Sequence, residues 1–99
     1  MEHIEIVKYK LKEGFTDTQF LAAETELRNG SIKAVKGYIG RELYKSDKNE
    51  WALILRFDAK ENMDAFMLSL KQERPESFKA YASMIDWETM RLEFFTKQI

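Results

Sequence analysis

Three segments with strand periodicity carry apolar side chains on both of their faces. The strand read from Ile4 to Lys12 sets His3, Glu5, Val7, Tyr9 and Leu11 against Ile4, Ile6, Lys8, Lys10 and Lys12. Trp51 to Phe57 sets Leu53, Leu55 and Phe57 against Ala52 and Ile54, and Trp87 to Lys97 sets Met90, Leu92 and Phe94 against Trp87 and Phe95. Taken together, the alternation groups Ile4, Ile54, Met90 and Leu92 on one side of a sheet. A sheet with one wetted face shows polar residues at every second position. Neither face here does, so both need a cover.

The segments between the strands supply one of those covers. Thr16 and Gln19 have the spacing of a capping box, and Phe20, Ala23, Glu24, Leu27, Ser31 and Ala34 recur at helical intervals. That stripe runs past Asn29-Gly30 and predicts one long helix, weakened there by a possible left-handed cap. Gly37 to Lys45 alternates Ile39 and Leu43 against Tyr38 and Tyr44. The polar cluster Ser46-Asp47-Lys48-Asn49 then joins it to the Trp51 strand as a hairpin. Asp58 with Glu61 gives a second capping signature. Met63, Phe66, Met67 and Leu70 form an apolar stripe that Pro75 must break, and Pro75 can open a short helix carrying Phe78, Tyr81, Ala82 and Ile85.

The order is βαββαβ, an α+β ferredoxin-like fold with a four-stranded antiparallel sheet. With 99 residues the chain fits one domain, 1–99. Two helices cover one face of such a sheet. Each apolar side chain left in water on the other face forgoes roughly 1.5–3 kcal/mol of burial. Pairing with a second copy through a two-fold axis is the usual remedy, so the chain is expected to form a homodimer whose two sheets share a core, a dimeric α/β barrel.

The element order, Gly14 after the first strand, the Lys36-Gly37-Tyr38-Ile39-Gly40-Arg41-Glu42-Leu43 segment and the Trp51 to Phe57 strand resemble antibiotic biosynthesis monooxygenase-like proteins of the dimeric α/β-barrel superfamily. The resemblance implies a cofactor-independent oxygenase of an apolar or aromatic small molecule, or a non-catalytic ligand-binding or stress-associated dimer using the same pocket. The heme-degrading branch of that superfamily would call for an asparagine on the first strand, a tryptophan on the second helix and a histidine after it. This sequence has Val7, then Phe66 and Met67, and no histidine after His3. No axial ligand for heme iron is evident, and no cofactor is expected.

A cleft between helices and sheet would draw on the first-strand face and the second half of the chain. Val7, Phe66, Met67, Tyr81 and Trp87 are the candidate substrate-binding residues, and His3, Glu5 and Tyr9 the candidate catalytic ones. His3 has an ordinary pKa suited to proton transfer, with Glu5 two residues away on the same strand face. The competing readings are plain: an aromatic and methionine stripe packs a core, and a histidine near a terminus sits solvated at an edge. Arg56, Arg91 and Glu93 lie mid-strand among apolar neighbours and should have partners across the sheet or the dimer axis.

Charge and composition close off other classes. A formal net charge of -1 with interspersed signs gives no field to draw the chain onto nucleic acid. The longest apolar run, Trp51 to Leu55, is far below the ~20 residues of a membrane helix. Met1 to Glu5 lacks the basic flank and apolar stretch of a signal peptide, and there is no cysteine, so the expected location is the cytoplasm. One histidine and scattered carboxylates offer no transition-metal shell, so no metal is expected.

Overall fold

Strand β1, His3–Leu11, lies at the centre of the molecule and organises the rest. The computed structural model describes all residues, 1–99. Beyond β1 come α1 (Asp17–Asn29), a 3₁₀ turn (Ser31–Ala34), β2 (Tyr38–Lys45), β3 (Trp51–Phe57), α2 (Lys60–Glu73), α3 (Glu76–Ser83) and β4 (Ile85–Thr96). The strands form one sheet in the order β2-β3-β1-β4, antiparallel throughout. This is the α+β ferredoxin-like arrangement expected from the sequence.

Helix α1 starts at the capping box: the Gln19 amide N–H donates to Thr16 Oγ1 at 3.1 Å, and the Thr16 amide N–H donates to Gln19 Oε1 at 2.8 Å. It stops earlier than its stripe suggested. Gly30 takes an extended conformation, not a left-handed one, donating to the Leu27 carbonyl, and the chain tightens into the 3₁₀ turn that buries Ile32. The start of α2 also differs from expectation. Asp58 does not cap it: its amide is held by the Gly37 carbonyl at 2.8 Å and its carboxylate accepts from Asn62 Nδ2 at 2.7 Å, so the cap position falls on Ala59. Gly37 makes that approach possible. Its φ is +83°, and a Cβ there would come within 2.7 Å of Asn62 Cβ.

The β1 alternation holds: His3, Glu5, Val7 and Tyr9 are buried beneath the helices, opposite Phe57, Leu55, Leu53 and Trp51 of β3. Two departures concern the outer strands. In β2 the register slips between Tyr38 and Gly40, which turns Ile39 outward and leaves Arg41 and Leu43 facing the helices. In β4 a larger bulge separates two registers. Two steps on β1, from Lys8 to Lys10, oppose five on β4, from Arg91 to Asp86. The odd number of extra residues exchanges the faces, so Ile85 lies opposite Leu11 on the helix side and Leu92 lies opposite Val7 on that same side. Met90 and Leu92 therefore do not share a face with Ile4 and Ile54, as simple alternation had grouped them.

The buried side chains form two clusters. Val7, Tyr9, Phe20, Ala23, Leu27, Trp51, Leu53, Tyr81 and Ile85 pack beneath α1 and α3, whereas Ile32, Leu55, Phe57, Met63 and Phe66 pack beneath α2. The far face of the sheet carries Ile4, Ile6, Ala52 and Ile54, all half-buried, with Tyr44 and Phe95 about half exposed. Arg56 crosses that face and is held by Glu42 at 2.6 Å and Glu2 at 3.0 Å, and Arg91 pairs with Glu50. Glu93 forms no ion pair within the chain. No helix is long and apolar enough to cross a membrane.

Candidate functional site

Between the two clusters the packing is incomplete. A cavity of about 900 Å³ opens between the inner face of the sheet and helices α2 and α3, lined mainly by apolar side chains. It is of the size that takes a small organic ligand. Val7, Phe66, Met67, Tyr81 and Trp87 all line it, as do Glu5 and Tyr9. The β4 bulge explains how Trp87 comes to share a wall with Met90 and Leu92. His3 does not line it. That ring is buried further along β1, its Nδ1 within 2.9 Å of Thr96 Oγ1 and its face stacked on Phe94 at 6.0 Å. It is neither a solvated edge residue nor a hydrogen-bond partner of Glu5.

Glu5 is the one acidic residue in the lining, and only 7% of it is exposed. No buried side-chain polar atom of the chain lacks a partner, and no protein group hydrogen-bonds this carboxyl, so its oxygens look onto the cavity. Burial pushes its pKa up from 4.5 to about 7, against a smaller opposing pull from the Arg41 guanidinium. A carboxyl in that range exchanges protons readily at neutral pH.

Arg41 supplies the positive charge, and α1 holds it in place. Its Nε and Nη2 donate to the two oxygens of Glu24 at 2.8 and 2.9 Å, a bidentate pair whose side chains are both 4% exposed. Arg28 adds two donors to Glu24 Oε2, at 3.2 and 3.1 Å. The Arg41 guanidinium also sits over the Tyr81 ring, 5.3 Å from its centroid. Glu24 and Arg41 were not among the residues singled out from sequence. The signal for Glu24 was its place on the buried stripe with Phe20, Ala23 and Leu27, since a carboxylate there requires a partner. Nothing local to Arg41 marked it.

The third polar element is a pair of phenols. The Tyr9 and Tyr81 hydroxyls lie 2.6 Å apart. Burial holds Tyr9 well above the usual phenol range and pushes Tyr81 up to about 12, so both stay protonated at neutral pH. One hydroxyl donates to the other, and the acceptor keeps a proton free to donate elsewhere. No group of three or more His, Asp or Glu side chains is placed to hold a metal ion.

The chain has the ferredoxin-like α+β fold of antibiotic biosynthesis monooxygenase-like proteins. Among solved structures it is similar to SnoaB, a cofactor-independent oxygenase from Streptomyces nogalater, with a TM-score of 0.71 and 10% identity over 99% of this chain and 94% of that one. It is similar also to a Bordetella bronchiseptica protein provisionally named an antibiotic biosynthesis monooxygenase, with a TM-score of 0.77 and 19% identity over 99% of this chain and 98% of the other. A Nitrosomonas europaea protein with the same provisional name gives a TM-score of 0.69 and 14% identity, covering 98% and 99%. At these identities the likeness establishes the fold. No family model matches the sequence, and no curated relative does.

Proposed function

We propose that the chain is a cofactor-independent oxygenase of a small apolar or aromatic molecule, with Glu5 as the general base. The observation that carries this is a buried carboxyl without a protein hydrogen bond, facing a largely apolar cavity of about 900 Å³ beside a fixed guanidinium. The cofactor-independent oxygenase among the solved structures with this fold supports the reading.

The chemistry needs only the substrate and dioxygen. For a phenol, ionised Glu5 takes the hydroxyl proton, and Arg41, locked by Glu24, stabilises the charge that develops on the ring. The phenolate passes one electron to dioxygen, and the superoxide formed couples with the ring radical, making a C–O bond. Protonated Glu5 returns its proton to the outer peroxide oxygen. Loss of the ring C–H proton with cleavage of the O–O bond then releases water and leaves a carbonyl. One phenol and one dioxygen give one quinone and one water.

The unit in which this happens is proposed to be a symmetric dimer. The apolar far face bearing Ile4, Ile6 and Ile54 is uncovered in a single chain, and two such faces can cover each other. Light scattering should give the mass of two chains at micromolar concentration, and a monomer would remove this part of the reading. A chain without cysteine suits the reducing cytoplasm, where the proposal places it.

Oxygen uptake with a panel of electron-rich phenols tests the catalytic claim. Turnover should rise with pH through about 7 as Glu5 ionises. Glu5→Gln should lower it by about 10²-fold or more. Undiminished turnover in Glu5→Gln would defeat the assignment. Ligand-dependent thermal stabilisation with no oxygen uptake would replace it with non-catalytic binding.

A further inference from the structure

The mouth of the cavity carries charge that the oxygen chemistry does not use. Lys71 in the last turn of α2, Arg74 just beyond it and Lys79 on α3 all line the cavity, and all three are exposed. Lys79 reaches Glu76 at 3.1 Å. None of the ion pairs of the chain uses Lys71 or Arg74. The only carboxylate of the lining is Glu5, and it belongs to the β1 wall rather than the mouth. The rim is therefore cationic, while inside the cavity the Arg41 charge is already paired with Glu24 and Glu5 is the one carboxylate of the wall.

Arg74 stands out for a second reason. Its φ of 44° and ψ of 66° place it in the left-handed region at the end of α2, where glycine is the favoured residue. It also precedes Pro75, which pushes the preceding residue toward extended conformations. No hydrogen bond or burial of its side chain accounts for an arginine there. A strained, exposed, unpaired arginine on a cavity rim is the pattern of a side chain kept for a ligand.

We propose that Arg74, with Lys71, binds the carboxylate of an amphipathic ligand whose apolar body enters the cavity between Trp87, Phe66 and Tyr81. The ligand class is a small aromatic carboxylic acid that carries a phenolic hydroxyl. This rests on the reading that the cavity takes an apolar small molecule, and adds which end enters first. The carboxylate stays at the rim, partly hydrated, while the phenolic end approaches Glu5. Arginine presents a planar fork that matches a carboxylate in two hydrogen bonds, which fixes the orientation of the body as well as its affinity.

The test is binding to the full chain under argon, so that turnover does not intervene, followed by calorimetry with naphthoate and the neutral naphthalenemethanol. Wild type should prefer naphthoate, with a margin that shrinks as salt is added. Arg74→Gly relaxes the backbone while removing the charge. It should weaken naphthoate by about tenfold and leave the alcohol within about twofold. Arg74→Gln, which keeps the chain length, should behave alike, so a folding artefact of one variant would show. Equal affinity for acid and alcohol in wild type, or parallel loss of both in the variants, overturns the carboxylate site and leaves the oxygenase reading standing. Binding of neither ligand overturns both.

Discussion

Replacing Glu5 by glutamine removes its charge and nearly preserves its shape, which makes the cost of that buried carboxylate measurable without any substrate. In the unfolded chain the carboxyl titrates at its ordinary 4.5, and in the folded chain at about 7. Between those values the native state holds a proton that the unfolded state has released, so stability falls as pH rises through this window and levels off above it. The gap corresponds to about 3 kcal/mol, at about 1.4 kcal/mol per tenfold change in proton affinity. That is a large share of the roughly 5–15 kcal/mol that holds a domain folded. Urea unfolding followed by tryptophan fluorescence, at fixed protein concentration and across this pH range, gives both curves. Glu5→Gln should match wild type near pH 4 and exceed it by about 2–3 kcal/mol near pH 8. Other titrating groups act on both proteins alike and cancel in the difference. A difference that stays flat with pH, or favours wild type at high pH, would show that the carboxyl is not held in a desolvated site.

The Glu24–Arg41 pair should behave as a unit. Arg41→Met leaves Glu24 buried with only the half-exposed Arg28, and should cost about 3 kcal/mol in the same urea assay. Adding Glu24→Leu should recover most of that loss, and an additive double mutant would refute the coupling. On the far face, Ile54→Lys should shift light scattering from the mass of two chains to that of one. A variant that still measured as two would show that the association lies elsewhere.

Elements set by local rules were legible in the sequence, and features set by distant partners were not. The β1 faces followed from a period of two, and the start of α1 from the reciprocal Thr16–Gln19 hydrogen bonds, both local properties of a few residues. The end of α1 was read one turn too far because Ser31 and Ala34 keep helical spacing even after the chain has tightened into a 3₁₀ turn. The faces of β4 were misread because a bulge is defined by pairing with β1, which alternation within β4 does not reveal. For the cavity, Val7, Phe66, Met67, Tyr81 and Trp87 were named from sequence, while Leu27, Leu53, Leu55 and Arg41 were not. The burial of Arg41 depends on Glu24, seventeen positions away on another element. His3 looked suited to proton transfer, but its surroundings are set by Thr96 and Phe94 at the other end of the chain. Nothing in the sequence around Lys71 and Arg74 shows that folding brings them to one cavity with Lys79 of α3.

The irregularity in β4 gives the molecule two separately adjustable halves. Downstream of it, Arg91 to Thr96 keeps step with Lys8 to His3 and frames Glu5, while upstream Trp87 sits among surplus residues outside that register, tied to β1 by the Lys10 amide donating to Thr89 Oγ1. Lengthening or trimming the surplus would reshape the entrance and leave the proton-handling carboxyl where it stands. Selectivity for a ligand can thus drift by insertion and deletion at one spot, with the chemistry sheltered from the change.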